Sequence, residues 1–338
     1  MPGLTREVNS RGRAWTHLPV VLVCPDCRTP LLGDDRLFCH SCNITYAMDG
    51  CIPVFEPEQL EYRDYDDWWA AGQSAEKTPR WRRIIFHHLR YWSYRERRFF
   101  EGSLKAGSLV LDIGCWGGDV AVAGLGGGTV VGIDLSLSAL RQASHVYNLA
   151  IQGNIKKLPF ADASFDYVIS SHVLGHVMSE EKDSVLSEIF RVLKPGGESL
   201  HVIETDSGGK LVSRAKQQPD LYRQHFIDRY GHIGLESAST VIGRFQSQGF
   251  IVKKVIKMDS LWLPPWYYQQ YFDNEYVRRD PLLARKLRRS RRLCSTRASR
   301  LALGFVWGWH HSTWEQWLGR LDDSMHIFIH VRKPDGNG

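Results

Sequence analysis

Two sets of residues in this sequence have the types and spacing to do chemistry. The first is a pair of Cys-x-x-Cys turns, Cys24-Pro-Asp-Cys27 and Cys39-His-Ser-Cys42, with eleven residues between them. Each turn aims two thiolates at one point, and four thiolates close a tetrahedral Zn2+ shell with no open position. The expected site, Cys24, Cys27, Cys39 and Cys42, is therefore structural, with His40 the competing ligand. Cys51, Cys115 and Cys294 read as core or incidental thiols. The second set is Val110-Leu-Asp-Ile-Gly-Cys-Trp-Gly-Gly-Asp119 followed by Val130-Val-Gly-Ile-Asp134, where Asp134 lies 22 residues after Asp112. Glycines there let backbone approach a ligand closely, and a carboxylate at a strand's end can take two ribose hydroxyls.

The elements that must position these groups follow from the pattern. Two short apolar runs, the first ending in a glycine-rich turn and a helix opening near Ala121 to Leu125, form the mononucleotide half of a doubly wound sheet. Tyr167 to Ser171 reads as the fourth strand, and Lys194-Pro-Gly-Gly197 as the turn before the fifth. Val241 to Phe250 is a helix ended by Gly249, Ile251 to Met258 the sixth strand, and Met325 to Val331 the seventh. Ahead of the sheet, Pro79 to Phe100 is expected to be one helix with Ile85, Leu89, Trp92 and Phe99/Phe100 on one face.

Composition sets the frame. A chain of 338 residues with 43% apolar and 24% charged residues is an ordinary globular sequence able to bury a large core. The net charge of +6 is local, because 285–300 holds eight basic residues and no acid, leaving −2 for the rest. No secretory leader is expected, and a cytoplasmic location with peripheral membrane attachment fits the charge pattern. The apolar run Leu301 to Trp309 is about half a membrane span.

Beyond the second acid come Gly153-Asn-Ile155, Leu158-Pro-Phe160, Ser164-Phe-Asp166, His172 and His176, and Arg191-Val-Leu-Lys-Pro-Gly-Gly197. With these pieces in this order, residues 105 to 258 and the last strand resemble the class I S-adenosylmethionine (SAM) dependent methyltransferases that include the ubiquinone and menaquinone methylases. The resemblance implies an α/β fold, a Rossmann-like seven-stranded sheet. It implies that Asp112, Gly114 and Gly118 shape the turn under SAM and that Asp134 takes its ribose hydroxyls. Asn154 stands where relatives carry an acid for the adenine amino group. Cys115, Leu135, Ile155 and Ser171 are counted among the cofactor-contacting positions. His176 matches a position near the cofactor and is the candidate catalytic base, and His232 resembles a histidine that precedes a helix. One departure is Trp116 at the motif's middle glycine; it is expected to keep ordinary dihedrals, with Gly117 supplying the flexibility. No Asn-Pro-Pro-Tyr or Asp-Pro-Pro-Tyr follows the fourth strand, which argues against methylation of nucleobase amino groups.

Tyr46-Ala-Met-Asp-Gly-Cys-Ile-Pro-Val-Phe55 resembles the end of a Trm112-like zinc ribbon, with Cys51 an extra residue. The expected organisation is a disordered tail over 1–18, a zinc ribbon over 19–57, and a helical linker or lid over 58–104. A methyltransferase domain covers 105–338, with an aromatic and basic insertion at 259–323. There His310, Trp314, Trp317, Leu318 and Leu321 fall at helical spacing behind the basic run. That pattern suits a membrane interface or a lipid-like substrate through 285–321. The expected function is methyl transfer from SAM to a small or lipid-like acceptor. An rRNA-type RNA methyltransferase with a zinc module and a non-catalytic SAM-fold scaffold are the alternatives.

Overall fold

The computed structural model describes residues 18–33, 36–56, 80–124, 128–270 and 275–336. Most of the expected tail and the first part of the expected linker, with Trp68 and Trp69, lie outside them. Ten strands are present among the described residues, and the chain divides into two compact units.

The first unit comprises residues 1–73, 105–168 and 191–194. Its strand order is β1-β2-β3-β6-β5-β4-β7. Here β1 is Leu37–Cys39, β2 Ile44–Asp49, β3 Ile52–Val54, β4 Leu109–Ile113, β5 Thr129–Asp134, β6 Leu149–Gln152 and β7 Phe165–Ser171, whose last three residues belong to the second unit. Gly50, at φ 59, closes a two-residue hairpin between β2 and β3, the geometry such loops demand. From β3 onward the pairing is parallel through β6, β5 and β4. These strands are apolar without alternation because both faces of a parallel sheet are covered. Leu111, Ile113, Ile133, Leu140, Ile151, Phe160 and Phe165 are fully buried, each contributing roughly 1.5–3 kcal/mol. The expected seven strands are β4 to β10. The cysteine lobe adds three more, because β3 pairs with β6 instead of standing apart.

The second unit comprises residues 74–104, 169–190 and 195–338. Its strand order continues from β7 as β8 (Leu193–Glu204), β10 (His326–Arg332) and β9 (Ile251–Met258), with β10 antiparallel to both neighbours. Two expectations fail here for physical reasons. The helix expected over 79–100 breaks: Arg80–His88 and Arg95–Glu101 flank Arg90 at φ 56. Ile85 and Leu89 are exposed, whereas Trp92, Phe99 and Phe100 are buried. The break is where helix Arg297–Ser312 lies against the chain. A Cβ on Gly308 would sit 1.8 Å from the Arg90 carbonyl oxygen, and one on Gly304 would meet the Tyr91 ring at 2.1 Å.

The expected helical stripe through His310 to Leu321 also breaks, at Thr313 (φ −128, ψ −86). A separate helix, Trp314–Leu318, follows. Its polar residues turn inward: Glu315 accepts from the Ser260 N–H at 2.5 Å, and the Gln316 amide bonds both backbone groups of Lys257 at 2.9 and 2.6 Å. Those bonds leave Trp314 and Trp317 exposed. The basic run does form an amphipathic helix, Pro281–Leu293, capped by Asp280 and burying Leu283, Leu287 and Ser290. Arg288, Arg289, Arg291 and Arg292 are exposed. No helix among the described residues is long and apolar enough to cross a membrane.

Candidate functional site

In the first unit the strand-end acids meet at the glycine turn. The N–H groups of Gly114 and Cys115 both reach the Ile133 carbonyl, at 2.8 and 3.1 Å, so the turn leaves β4 pressed against the end of β5. Asp134 is half-buried. Its Oδ2 accepts from the Trp116 N–H at 2.8 Å and its Oδ1 from the Ser136 N–H at 2.9 Å. Trp116 itself adopts φ 50, and Gly117 is not among the residues at positive φ, which corrects the expectation of ordinary dihedrals there. The magnitudes explain it. Left-handed backbone costs about 1–2 kcal/mol, and a hydrogen bond to a charged acceptor contributes about 1.5–3 kcal/mol.

Asp112 is buried and accepts from the Tyr147 hydroxyl at 2.7 Å, and that hydroxyl in turn accepts from the Asp119 N–H at 2.8 Å. Burial raises its carboxyl to about 7. Gly132 has to be glycine, since a Cβ would lie 2.6 Å from Cys115 Sγ and 2.7 Å from the Tyr147 ring. Leu135 and Ile155 are half-buried beside this edge. Asn154 Oδ1 accepts from the Lys156 N–H at 3.0 Å, so the expected adenine acceptor also shapes its own turn. Asp112, Gly114, Cys115, Gly118, Asp134 and Leu135 thus gather at the ends of β4 and β5, with Asn154 and Ile155 just beyond β6. Gly118, at φ 80, completes the turn. A charged acceptor at a strand end above a turn with two glycines at positive φ fits the ribose and methionine parts of SAM.

The same unit holds the cysteine cluster. One sulfur from each of Cys24, Cys27, Cys39 and Cys42 lies within 4.8 Å of the others, with Cys24–Cys42 at 3.9 Å and Cys27–Cys39 at 3.3 Å. With Zn–S bonds near 2.3 Å, the edge of the tetrahedron is about 3.8 Å, so the donor set fits Zn2+. Each knuckle is followed by a left-handed residue, Arg28 at φ 64 and Asn43 at φ 55. Hydrogen bonds from Thr29 bring the Cys27 thiol down to about 6, whereas Cys27 beside it pushes Cys42 up to about 12. His40 packs edge-on against Phe38 and is not in the cluster. Cys51 is exposed, while Cys115 and Cys294 are buried.

In the second unit, Ser171 donates to Glu96 Oε2 at 3.1 Å, and His172 follows at φ 61. His172 Nδ1 lies 2.5 Å from Glu204 Oε1 and its Nε2 lies 3.5 Å from Glu96. Burial opposes charge on His172, but Glu204 and Glu96 outweigh it and lift the imidazole to about 10. Burial likewise opposes charge on Glu204, yet His172 holds it well below the usual carboxylate range. His176 closes a 3-10 turn, places Nδ1 2.9 Å from the Gly231 carbonyl and packs its ring 4.9 Å from that of His232. Burial lowers His232 to about 4. His172 and His176 each bring a ring nitrogen within 4.8 Å of a Glu204 oxygen. Glu204, Asp259 and His326 were not visible as site residues in the sequence. The only available signal was a polar residue at the edge of each apolar strand.

Residues 111–200 match the family described as a methyltransferase domain. Demethylmenaquinone methyltransferase of Bacillus cereus (strain AH187) is 32% identical over 165 residues, covering 46% of this chain and 67% of that protein. An uncharacterized methyltransferase of Synechocystis is 39% identical over 98 residues, covering 28% of this chain and 46% of that one. Among solved structures, a chain of the complex between the Haloferax volcanii Trm112 methyltransferase activator and a methyltransferase aligns with TM-score 0.46. It is 18% identical and covers 80% of this chain and 98% of that chain. The chain spans about half the length of several curated relatives it matches, 46%, 39% and 51% of three of them. With the strand-end acids and glycine turn in place and two thirds of a relative spanned at 32% identity, this chain belongs to the class I SAM-dependent methyltransferases.

Proposed function

We propose that the protein transfers a methyl group from SAM to a small-molecule or lipid-like acceptor. The observation that carries this reading is the Asp134 carboxylate at the end of β5, facing the glycine turn whose Trp116 N–H it holds. Bound SAM supplies an electrophilic sulfonium methyl. The chain's own part is positioning: Asp134 orients the ribose, Gly114 and Gly118 let backbone approach, and Asn154 borders the adenine side. Holding nucleophile and methyl in contact supplies most of the acceleration such a transfer needs. Where the acceptor must lose a proton, His176 is the candidate base, its Nδ1 set against the Gly231 carbonyl. The name of the Bacillus cereus relative supports a quinone-like acceptor class.

Asp134→Ala tests the cofactor half. Calorimetry should show SAM binding weakened tenfold to a hundredfold, as loss of charged hydrogen bonds implies; unchanged affinity defeats the assignment. Labelled SAM with cell extracts then reads turnover, and binding without turnover marks a scaffold.

Residues 19–57 are read as a structural zinc ribbon, 58–104 as linker and 105–338 as the methyltransferase domain with its insertion. Elemental analysis should find zinc, and Cys27→Ser should unfold the ribbon, since metal binding contributes about 10–16 kcal/mol in such lobes.

A second reading concerns 285–321. Trp262, Val306, Trp309 and Trp314, with Trp307 and His310, line a surface cavity of about 470 Å3, and Trp317 is 87% exposed. This supports peripheral contact with an anionic lipid surface, to which each nearby Arg adds about 1 kcal/mol. The rival is RNA held by the arginines. Neutralising Arg288, Arg289, Arg291 and Arg292 should abolish binding to phosphatidylglycerol liposomes at about 150 mM salt. If RNA binds there and liposomes do not, the RNA reading takes its place.

A further inference from the structure

Four neighbouring strands of the second unit each reach one edge of the sheet with a residue able to ligate a metal. His172 follows β7, Glu204 ends β8, His326 opens the antiparallel β10 and Asp259 follows β9. The register fixes the row, since His326 sits opposite Glu204 on one side and Met258 on the other. One ligand atom from each of His172, Glu204 and His326 lies within 4.8 Å of the others. Polar groups are left over at this edge. Glu204 Oε2, both Asp259 carboxylate oxygens and His326 Nδ1 are buried without a hydrogen-bond partner among protein atoms. Asp259 Oδ2 stands 3.3 Å from His326 Nδ1, close but not aligned as a hydrogen bond. Native interiors satisfy nearly all such groups, so this many together call for a cation or polar ligand. His172 and Asp259 both carry positive φ, 61 and 62, and strain of that kind collects at functional sites.

We propose that His172, Glu204 and His326 bind a divalent transition-metal ion, with Asp259 orienting His326 behind it. Two imidazoles and a carboxylate leave coordination positions open, the pattern of catalytic zinc and non-haem iron sites. A carboxylate behind a ligating histidine is the usual supporting contact. The open positions suit an oxygen ligand, water or a hydroxyl. His176 and His232 form a second triplet with the same carboxylate. The first is preferred because the unsatisfied atoms of Asp259 and His326 belong to it.

The test uses the full chain, stripped with chelator and titrated with Co2+ alone. The first equivalent should fill the cysteine cluster and saturate its thiolate charge-transfer band. A second equivalent should then bind with visible d–d absorption and no further thiolate band. His326→Ala should remove the second equivalent only, and Asp259→Asn should weaken it tenfold to a hundredfold. If wild-type protein takes up no ion beyond the thiolate site, the metal is ruled out and the His172 imidazolium is the cation that neutralises Glu204. A second equivalent unchanged in both variants places the ion elsewhere and equally overturns the proposal. The wild-type count decides even if His326→Ala fails to fold. SAM calorimetry on the same samples separates this result from the methyl-transfer reading.

Discussion

Asp134 and Glu204 stand at equivalent places, each the last residue of a buried strand, and they are satisfied in opposite ways. Asp134 is half-buried and meets two backbone N–H groups, from Trp116 and Ser136. Glu204 is 6% exposed, meets an imidazole, and keeps one oxygen without a hydrogen bond. Backbone donors need no particular partner side chain, so the first carboxylate depends on the shape of one local turn. The second depends on side chains brought in from several separate strands. A carboxylate of the first kind can be substituted at little cost to folding, while one of the second kind cannot.

The largest expected effect follows from that difference. Glu204→Gln breaks a buried charged pair and leaves His172 without its nearest carboxylate, which typically costs about 3–5 kcal/mol. Asp134→Asn keeps an acceptor for one of the two N–H groups and turns its NH2 toward the other, which at this half-buried, solvent-reachable position should cost about 1–2 kcal/mol. Urea denaturation of the two variants checks the contrast, and equal losses would dissolve it.

The same contrast decides what was legible in the sequence. Asp112, Gly114, Gly118 and Asp134 lie within a short stretch whose strand, turn and strand pattern is local, so β4, β5 and their site could be read directly. The four cysteines were equally local. Glu204 and His326 are 122 positions apart in the sequence and meet only through the antiparallel register of β10. No periodicity records that pairing. Residue type alone predicts ordinary dihedrals at Trp116, whereas the bond from its N–H to Asp134 decides its φ. The helical stripe over 310–321 failed likewise, since Glu315 and Gln316 bond to the end of β9 and turn the tryptophans outward.

A middle-sized effect sharpens the comparison within the first unit, where Asp112 is as buried as Glu204 but has a neutral partner, Tyr147. Burial raises its carboxyl from 3.8 to about 7. The folded protein therefore holds this proton more tightly than the unfolded chain does. The stability it contributes is complete below pH 3.8 and is lost as pH rises to about 7. Asp112→Asn keeps the acceptor for Tyr147 and removes the titration. Its stability relative to wild type should rise by on the order of 2–4 kcal/mol between roughly pH 4 and pH 8, at about 1.4 kcal/mol per unit. Parallel pH profiles for the two proteins would remove burial as the controlling factor at this site.

The smallest effect tests the strain at Trp116 itself, and it needs two variants because the indole is half-buried. Trp116→Ala and Trp116→Gly lose the same ring contacts, so their difference isolates the backbone. At ordinary dihedrals alanine is the more stable by about 0.4–1 kcal/mol, since glycine gives the unfolded chain more freedom. At φ 50 the order inverts. Alanine keeps a left-handed cost of about 1–2 kcal/mol that glycine escapes. The glycine variant should therefore be more stable than the alanine variant by about 0.5–1 kcal/mol, read from denaturation midpoints at constant slope. In an Asp134→Ala background the Trp116 N–H loses its acceptor, and the segment can relax out of the left-handed region. There the alanine variant should draw level or move ahead, which ties the strain to that one hydrogen bond.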